Sequence, residues 1–286
     1  MKSWLAWLPL SLTLVSVAAS AATEIGAVTL VEGGGGRLLR GATWYKVVVG
    51  TRLEETDIIE APDRSQTQIE FTAGPIVNLV GAGTAYLAPA TAKTAPVMLT
   101  VPNGWLKMAA KAPGLRLRTA SFDLVVVDGI LVVRANGPAV DFFVESGSGK
   151  LIELTPKGAD GPVRDLKVGE YWSRAATGAF TTVPRAPKVF VDAMPKHFVD
   201  PLPALTVRLK SKPALVVDHE ITYAEAEPWL AGRDRATFEK RFVSRLRDSA
   251  FRNAALPHLA HYPAWDRLLN PEKYAPKDAP KDAPAK

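Results

Sequence analysis

The sequence predicts a mainly β protein, a sandwich or roll of about a dozen short strands, followed by a small α-helical region at its C-terminal end. Three observations carry this expectation. Between residues 23 and 184, short apolar runs are separated by glycine, proline and Asp/Ser clusters, a spacing that suits strands joined by tight turns. Pro184, Pro187, Pro195, Pro201, Pro203 and Pro213 then interrupt any regular ladder or helix. Beyond residue 217 the apolar residues recur at helical spacing.

The elements follow in chain order. Lys2, the apolar run Leu5 to Val17 and Ala19-Ser20-Ala21 form the three parts of a secretory signal peptide, assigned to residues 1–22, with an uncleaved anchor as the competing reading. An opening strand from Gly26 to Leu30 leads through Gly33 to a strand ending at Arg40. Gly50 and Leu53 precede Asp57-Ile58-Ile59, and a turn at Pro62 to Ser65 precedes the alternating strand Gln68 to Phe71. A turn ending at Gly74 then leads to the apolar strand Ile76 to Leu79. The uncharged run Phe71 to Ala92 is long enough to span a bilayer. Its Gly74, Pro75, Gly81, Gly83 and Pro89 would break a helix, so it reads as sheet core.

The ordered glycines, aspartate, apolar pairs and turn across residues 25–87 resemble the FecR family, a β-rich module of bacterial cell envelopes. Thr56 and Glu60 depart from the family pattern around the aspartate. The resemblance implies an almost wholly β module in two successive halves, acting in binding, with no catalytic residues and no cofactor. FecR regulators join a periplasmic sensing region to a membrane helix and a segment that meets a cytoplasmic sigma factor. This chain opens instead with a signal peptide and shows no later apolar span, so the regulatory role is not expected to carry over.

The β pattern continues with Val97 to Val101, an Asn103-Gly104 turn and Trp105 to Met108. Leu115 to Thr119 alternates apolar and basic side chains, so its arginines should face water. Leu124 to Val127, Asp128-Gly129 and Ile130 to Val133 carry the strongest hairpin signal in the chain. Val140 to Val144 and Leu151 to Leu154 flank an expected turn at Ser146 to Gly149. Val168 to Trp172 and Phe180 to Val183 close the β domain, assigned to residues 23–184.

Residues 185–216 read as a proline-rich, extended connector lying on the β domain through Val189, Phe190, Val191, Phe198 and Leu202. In the helical region, residues 217–272, Thr222 and Glu225 have capping-box spacing and Gly232 suits a stop. Asp234 suits the N-cap of a helix carrying Phe238, Phe242 and Leu246, with Lys240, Arg241, Arg245 and Arg247 on or beside its exposed face. A further helix starts near Ser249 and is interrupted or ends at Pro257. Residues 273–286 repeat Ala-Pro-Lys-Asp and read as a disordered tail.

Composition narrows the function. The chain has no cysteine, which excludes a disulfide scaffold, a thiol nucleophile and cysteine-ligated metals. Residues 22–184 carry sixteen basic and sixteen acidic side chains, whereas residues 185–286 carry eighteen and thirteen, so the net +6 belongs mainly to the C-terminal part. In an exported protein a basic surface suits anionic lipid, glycan or an acidic protein face rather than nucleic acid, or serves solubility alone.

The chemical motifs are sparse. Gly33 to Gly36 lacks the Lys-Ser/Thr of a phosphate loop, Gly81-Ala82-Gly83 lacks a dinucleotide fingerprint, and no G-x-S-x-G elbow occurs. Asp218-His219-Glu220 is the densest titratable cluster, but neighbours on an extended chain diverge. His258 and His261 could share a helix face without enough further ligands to define a metal site.

Trp44, Tyr45, Trp105 and Trp172, with Arg241 and Arg245, remain as a possible binding surface, although core packing is the better account of aromatics in strands. The expected function is therefore an exported, periplasmic, non-enzymatic module that binds an envelope protein in sensing or scaffolding. The alternatives are a peptidoglycan or polysaccharide binder and, last, a hydrolase with an unrecognised site. The sequence leaves partner identity and oligomeric state open.

Overall fold

The computed structural model describes residues 23–89, 97–119, 121–155 and 159–274. The predicted signal peptide and residues 275–286 of the predicted tail lie outside the described residues, as do residues 90–92 of the uncharged run. The first half of the β domain contains β1 (Glu24–Glu32), β2 (Gly36–Arg40), β3 (Thr43–Val47), β4 (Arg52–Glu54), β5 (Ile58–Ala61), β6 (Gln66–Phe71) and β7 (Ile76–Tyr86). The second half contains β8 (Val97–Ala110), β9 (Leu115–Arg118), β10 (Phe122–Asn136), β11 (Ala139–Leu154), β12 (Asp160–Leu166), β13 (Tyr171–Arg174) and β14 (Thr181–Val183). With β15 (Val216–Glu220) they form one continuous sheet. The chain is mainly β with a small helical C-terminal region, as the sequence predicts.

Four long strands fold this sheet into two layers. The outer half of β7 pairs with β6 and the other half with β5. In the same way β8 switches from β9 to β10, β10 from β9 to β8, and β11 from β12 to β13. One layer therefore runs β4-β1-β6-β7-β8-β10-β11-β13-β14, and the other β15-β3-β2-β5-β7-β8-β9-β10-β11-β12.

Paired glycines make the bends. Gly129 lies opposite Gly147, where a Cβ on Gly147 would sit 2.1 Å from the Asp128 carbonyl oxygen and 2.4 Å from Gly129 Cα. A Cβ on Gly104 would sit 2.4 Å from Gly83 Cα. The turns expected at Asn103-Gly104, Asp128-Gly129 and Ser146 to Gly149 are thus bends inside unbroken strands. An Asp-Gly pair supplies positive φ to a turn or a bulge alike, and only the glycine across the ladder selects the bulge. The hairpin tip between β10 and β11 falls instead at Gly137-Pro138.

Gly147→Ala is expected to cost at least about 2 kcal/mol, because the backbone at φ +79° is strained for alanine and the partner strand is in the way. Urea midpoints measured beside Gly34→Ala, whose Cβ would meet nothing within 4 Å, check this.

Period-two alternation then distributes the strand side chains over three apolar clusters. Leu38, Ile59, Val133 and Phe142 point between the layers into the central core. Their neighbours Leu39 and Ile58 point outward under the helices, with Trp44 and Tyr86. Val132 points out of the other layer, beneath the connector.

The connector is a strap across that face. Phe190 and Phe198 are buried on it, Leu202 is half-buried, and Val189 and Val191 face solvent. It is not extended throughout, because α1 (Lys188–Ala193) fits between Pro187 at its N-cap and Pro195 beyond its end, where proline costs no helical hydrogen bond.

Beneath the strap, polar side chains stand in a cross-strand row, Gln68, Asn78 and Lys107. Lys107 donates to the Phe198 and Asp200 carbonyls, and Gln68 Nε2 to that of Pro203. Glu70 accepts from the Leu205 and Thr206 amides and the Thr206 hydroxyl. Burial acts to raise the Glu70 carboxyl, but these donors outweigh it and hold it below the usual range. A carboxyl lowered by folding stabilises the fold above its unfolded pKa and loses that contribution as pH falls through its folded value. Urea midpoints of the wild type and Glu70→Gln are therefore expected to differ at pH 7 and to converge on acidification below about 4. A constant gap across that range would refute the assignment.

The C-terminal region packs α2 (Tyr223–Leu230), α3 (Arg235–Arg241), α4 (Ser249–Ala255) and α5 (Pro263–Leu269) on the outer face of the second layer. The Thr222–Glu225 capping box forms as its spacing predicts, and Asp248 caps α4 by accepting from the Phe251 amide. No helix among the described residues is long and apolar enough to cross a membrane.

Candidate functional site

Where the helices meet the sheet they leave a cleft of about 670 Å³. Its floor is a cross-strand row: Glu60 on β5 faces Thr84 on β7, Thr84 faces Asn103 on β8, and Thr100 on β8 faces Arg118 on β9. The loop Ala231 to Asp234 and the residues Trp229 and Phe238 close the helical side. Asn103 Oδ1 accepts from the Gly137 amide at 3.0 Å, holding the β10–β11 hairpin tip as the third wall.

Charges of both signs border the cleft. Arg37 bridges two carboxylates, Glu60 at 2.7 Å and Glu225 at 3.1 Å, and its guanidinium lies 4.5 Å over the Trp44 ring. Burial acts to raise the Glu225 carboxyl, but the Thr222 amide and hydroxyl and His219 outweigh it and hold it low. Further along, Arg116, Arg118 and Arg233 surround Asp123 at 3.0, 3.5 and 3.4 Å. Asp123 is 1% exposed, whereas each of the three arginines keeps a fifth or more of its side-chain surface open.

The residues expected to bind are distributed otherwise. Trp44 is interior and forms part of the cleft wall. Tyr45 is half-buried against the central core. Trp105 is half-buried under the strap, 5.2 Å from Phe190. Trp172 is interior, stacked on Phe142 at 6.0 Å. Alternation along a strand could not show this: Tyr45 and Trp172 belong to the core between the layers, and the outer faces that carry Trp44 and Trp105 are covered by later parts of the chain.

The arginines expected on an exposed helix face turn inward. Arg241 donates to the carbonyls of Leu39, Gly41 and Thr56, and Arg245 to that of Ile221 with Glu220 at 3.5 Å. The helical repeat behind that expectation ends at Phe242, where the chain tightens into a 3₁₀ turn, Val243–Arg247.

Asp218 and His219 do not diverge. The register shifts between Val217 and His219, and this bulge sets Asp218 Oδ2 3.1 Å from His219 Nδ1, with Nε2 3.1 Å from Glu225. His258 instead stacks on Tyr223. No cluster of three or more metal-ligating side chains occurs among the described residues. Sequence reasoning placed Arg118 on a wet strand face and Glu225 in a helix cap, but the meeting of β5, β9 and the α2–α3 loop is a tertiary event without a local signal.

No protein-family model matches the chain, and no curated protein matches it. Among solved structures, two crystal structures of a "putative anti-sigma factor" from Parabacteroides distasonis ATCC 8503 are similar, each with a TM-score of 0.38. They are 16% and 15% identical over 45% of this chain, which spans 59% of the length of those chains.

Proposed function

We propose that this chain is an exported, non-catalytic binding module of the periplasm, FecR-like in its β domain, whose ligand seat is the cleft between sheet and helices. One observation carries the reading: the cleft has the volume of a ligand site, apolar walls and a few convergent polar groups. The resemblance of residues 25–87 and the signal-peptide pattern of residues 1–22 support the module type and the compartment. A sensing or scaffolding role follows if the ligand is an envelope protein segment, and a cell-wall role if it is peptidoglycan or polysaccharide.

Affinity capture from an envelope extract tests the seat, with protein and glycan readouts side by side. Ala231→Trp, at an exposed position in the wall, fills the cleft without disturbing the core. A species retained by the wild type and lost with Ala231→Trp is the expected result; equal retention by both, or by neither, overturns it. Cell fractionation with mass measurement of the mature N-terminus tests export, which an intact leader in the cytoplasm would refute.

A further inference from the structure

The strap that crosses the first layer carries most of the chain's excess positive charge. Residues 185–213 hold six lysines and arginines against two aspartates, while residues 22–184 and 214–274 are each balanced. Within the strap Lys188 is paired with Asp192 at 2.7 Å, and Lys212 with Glu24 at 3.1 Å. Arg185, Lys196, Arg208 and Lys210 are exposed and form no ion pair among the described residues. Four bases are thus left facing water from one short segment.

The same segment displays the most exposed large apolar side chains of the described residues, Val189, Val199 and Val207, at 74%, 69% and 90%. Each stands in or beside a short helical turn, next to a residue that ties the turn to the sheet. Phe190 follows Val189 and Phe198 precedes Val199, and both rings are buried in the cluster around Val132. Thr206 precedes Val207, and its amide and hydroxyl donate to Glu70. Lys107 fixes the strap from below at the Phe198 and Asp200 carbonyls. Neighbours on a tethered turn point in different directions, so each inward anchor holds its valine toward solvent. A base lies within three residues of each valine: Lys188, Lys196 and Arg208. A lone exposed valine is ordinary. Three, each held outward by its own anchor among unpaired bases, make a surface.

We infer that the outer side of the strap docks on an anionic membrane surface, its bases among the lipid headgroups and Val189, Val199 and Val207 reaching just below them. The anchored turns reproduce the combined apolar and basic face by which interfacial helices lie on such membranes. Each Lys or Arg brought to an anionic surface strengthens binding about fivefold. A protein partner is the poorer match, because protein interfaces centre on packed Trp and Tyr anchors. The strap has neither residue, and both of its phenylalanines face the sheet. The cleft lies on the other layer, under the helices, so it faces away from the docked surface.

Vesicles of phosphatidylcholine, alone or in equal mixture with phosphatidylglycerol, test it by co-sedimentation. The chain from residue 23 onward is used, since it contains every described element and omits the apolar run Leu5 to Val17, which would enter any lipid. Saturable binding to the mixed vesicles is expected, with little to the neutral ones and loss in high salt. Lys196→Gln, Arg208→Gln and Lys210→Gln together should weaken it about a hundredfold. Val199→Ser with Val207→Ser should weaken it about fivefold or more. All five positions are exposed, so urea midpoints should stay at the wild-type value. Because the chain has no cysteine, Val207→Cys and Ala236→Cys each carry a single environment-sensitive dye. The dye at 207 is expected to shift to the blue on mixed vesicles, and the dye at 236, an exposed position of α3, to stay unchanged. Equal binding to both vesicle types, no binding, or a shift at 236 instead of 207 overturns the inference. So does binding to soluble polyglutamate that is as tight as to the vesicles and indifferent to the valines, which would assign the strap to an acidic protein face.

Discussion

Replacing Arg241 with alanine is expected to destabilise the protein by about 2–4 kcal/mol and to loosen the helical region from the sheet. The guanidinium reaches from α3 to three backbone carbonyls, at Leu39 in β2, Gly41 in the β2–β3 turn and Thr56 before β5. It also lies 5.8 and 5.7 Å from the Phe238 and Phe242 rings. Burial pushes its pKa down to about 10, so ionised Arg241 is held in place against a desolvation cost that the carbonyls offset. The partners of its fork are neutral carbonyls, so the effect should persist at high salt, unlike that of a surface ion pair. Arg241→Lys keeps the charge but not the fork, and should recover only part of the loss. Urea midpoints check the magnitude. Limited proteolysis checks the mechanism, with new cleavage expected between residues 222 and 269 and none within β1 to β7. Unchanged midpoints would show that the fork contributes nothing net.

Lys107→Ala is expected to cost about 2–4 kcal/mol, from the lost hydrogen bonds of a buried ammonium and the void left behind, while Glu145, 31% exposed, stays solvated. Lys107 is fully buried, and its ammonium is held by Glu145 at 2.8 Å and by the carbonyls of Phe198 and Asp200 at 2.7 and 3.0 Å. Alanine leaves those acceptors without their shared donor and opens a void beneath the strap. Lys107→Met restores the volume but not the charge, and should cost less. The diagnostic readout is cleavage of the strap between residues 199 and 212, which should accelerate in Lys107→Ala before the sheet itself unfolds. If the strap stays protected while the midpoint drops, Lys107 supports the sheet rather than the strap.

Much of the fold is legible in residue order. Glycine and proline spacing locates most strands, since positive φ and missing amide donors are local properties. The Thr222–Glu225 cap is equally local and forms as read. The misreadings share one cause. Asp128-Gly129 reads as a hairpin tip until Gly147 is placed opposite it, and Arg241 reads as exposed until the helix ends at Phe242 and β2 supplies carbonyls. Trp44 and Trp172 read as a platform because a strand periodicity reports which residues share a face and not what covers that face.

The cleft is the extreme case of this. Glu60, Thr84, Thr100, Arg118 and Glu225 come from segments spread over 165 positions of the chain, and none of their local patterns differs from an ordinary solvated strand or helix cap. By itself the sequence determined the β character, the helical end, the proline-rich crossing and the places where the backbone could bend, because these rest on the conformational limits of single residues. The tertiary structure decided which bends pair, which aromatics are covered and which charges meet, because those depend on strand register and on the packing of distant segments.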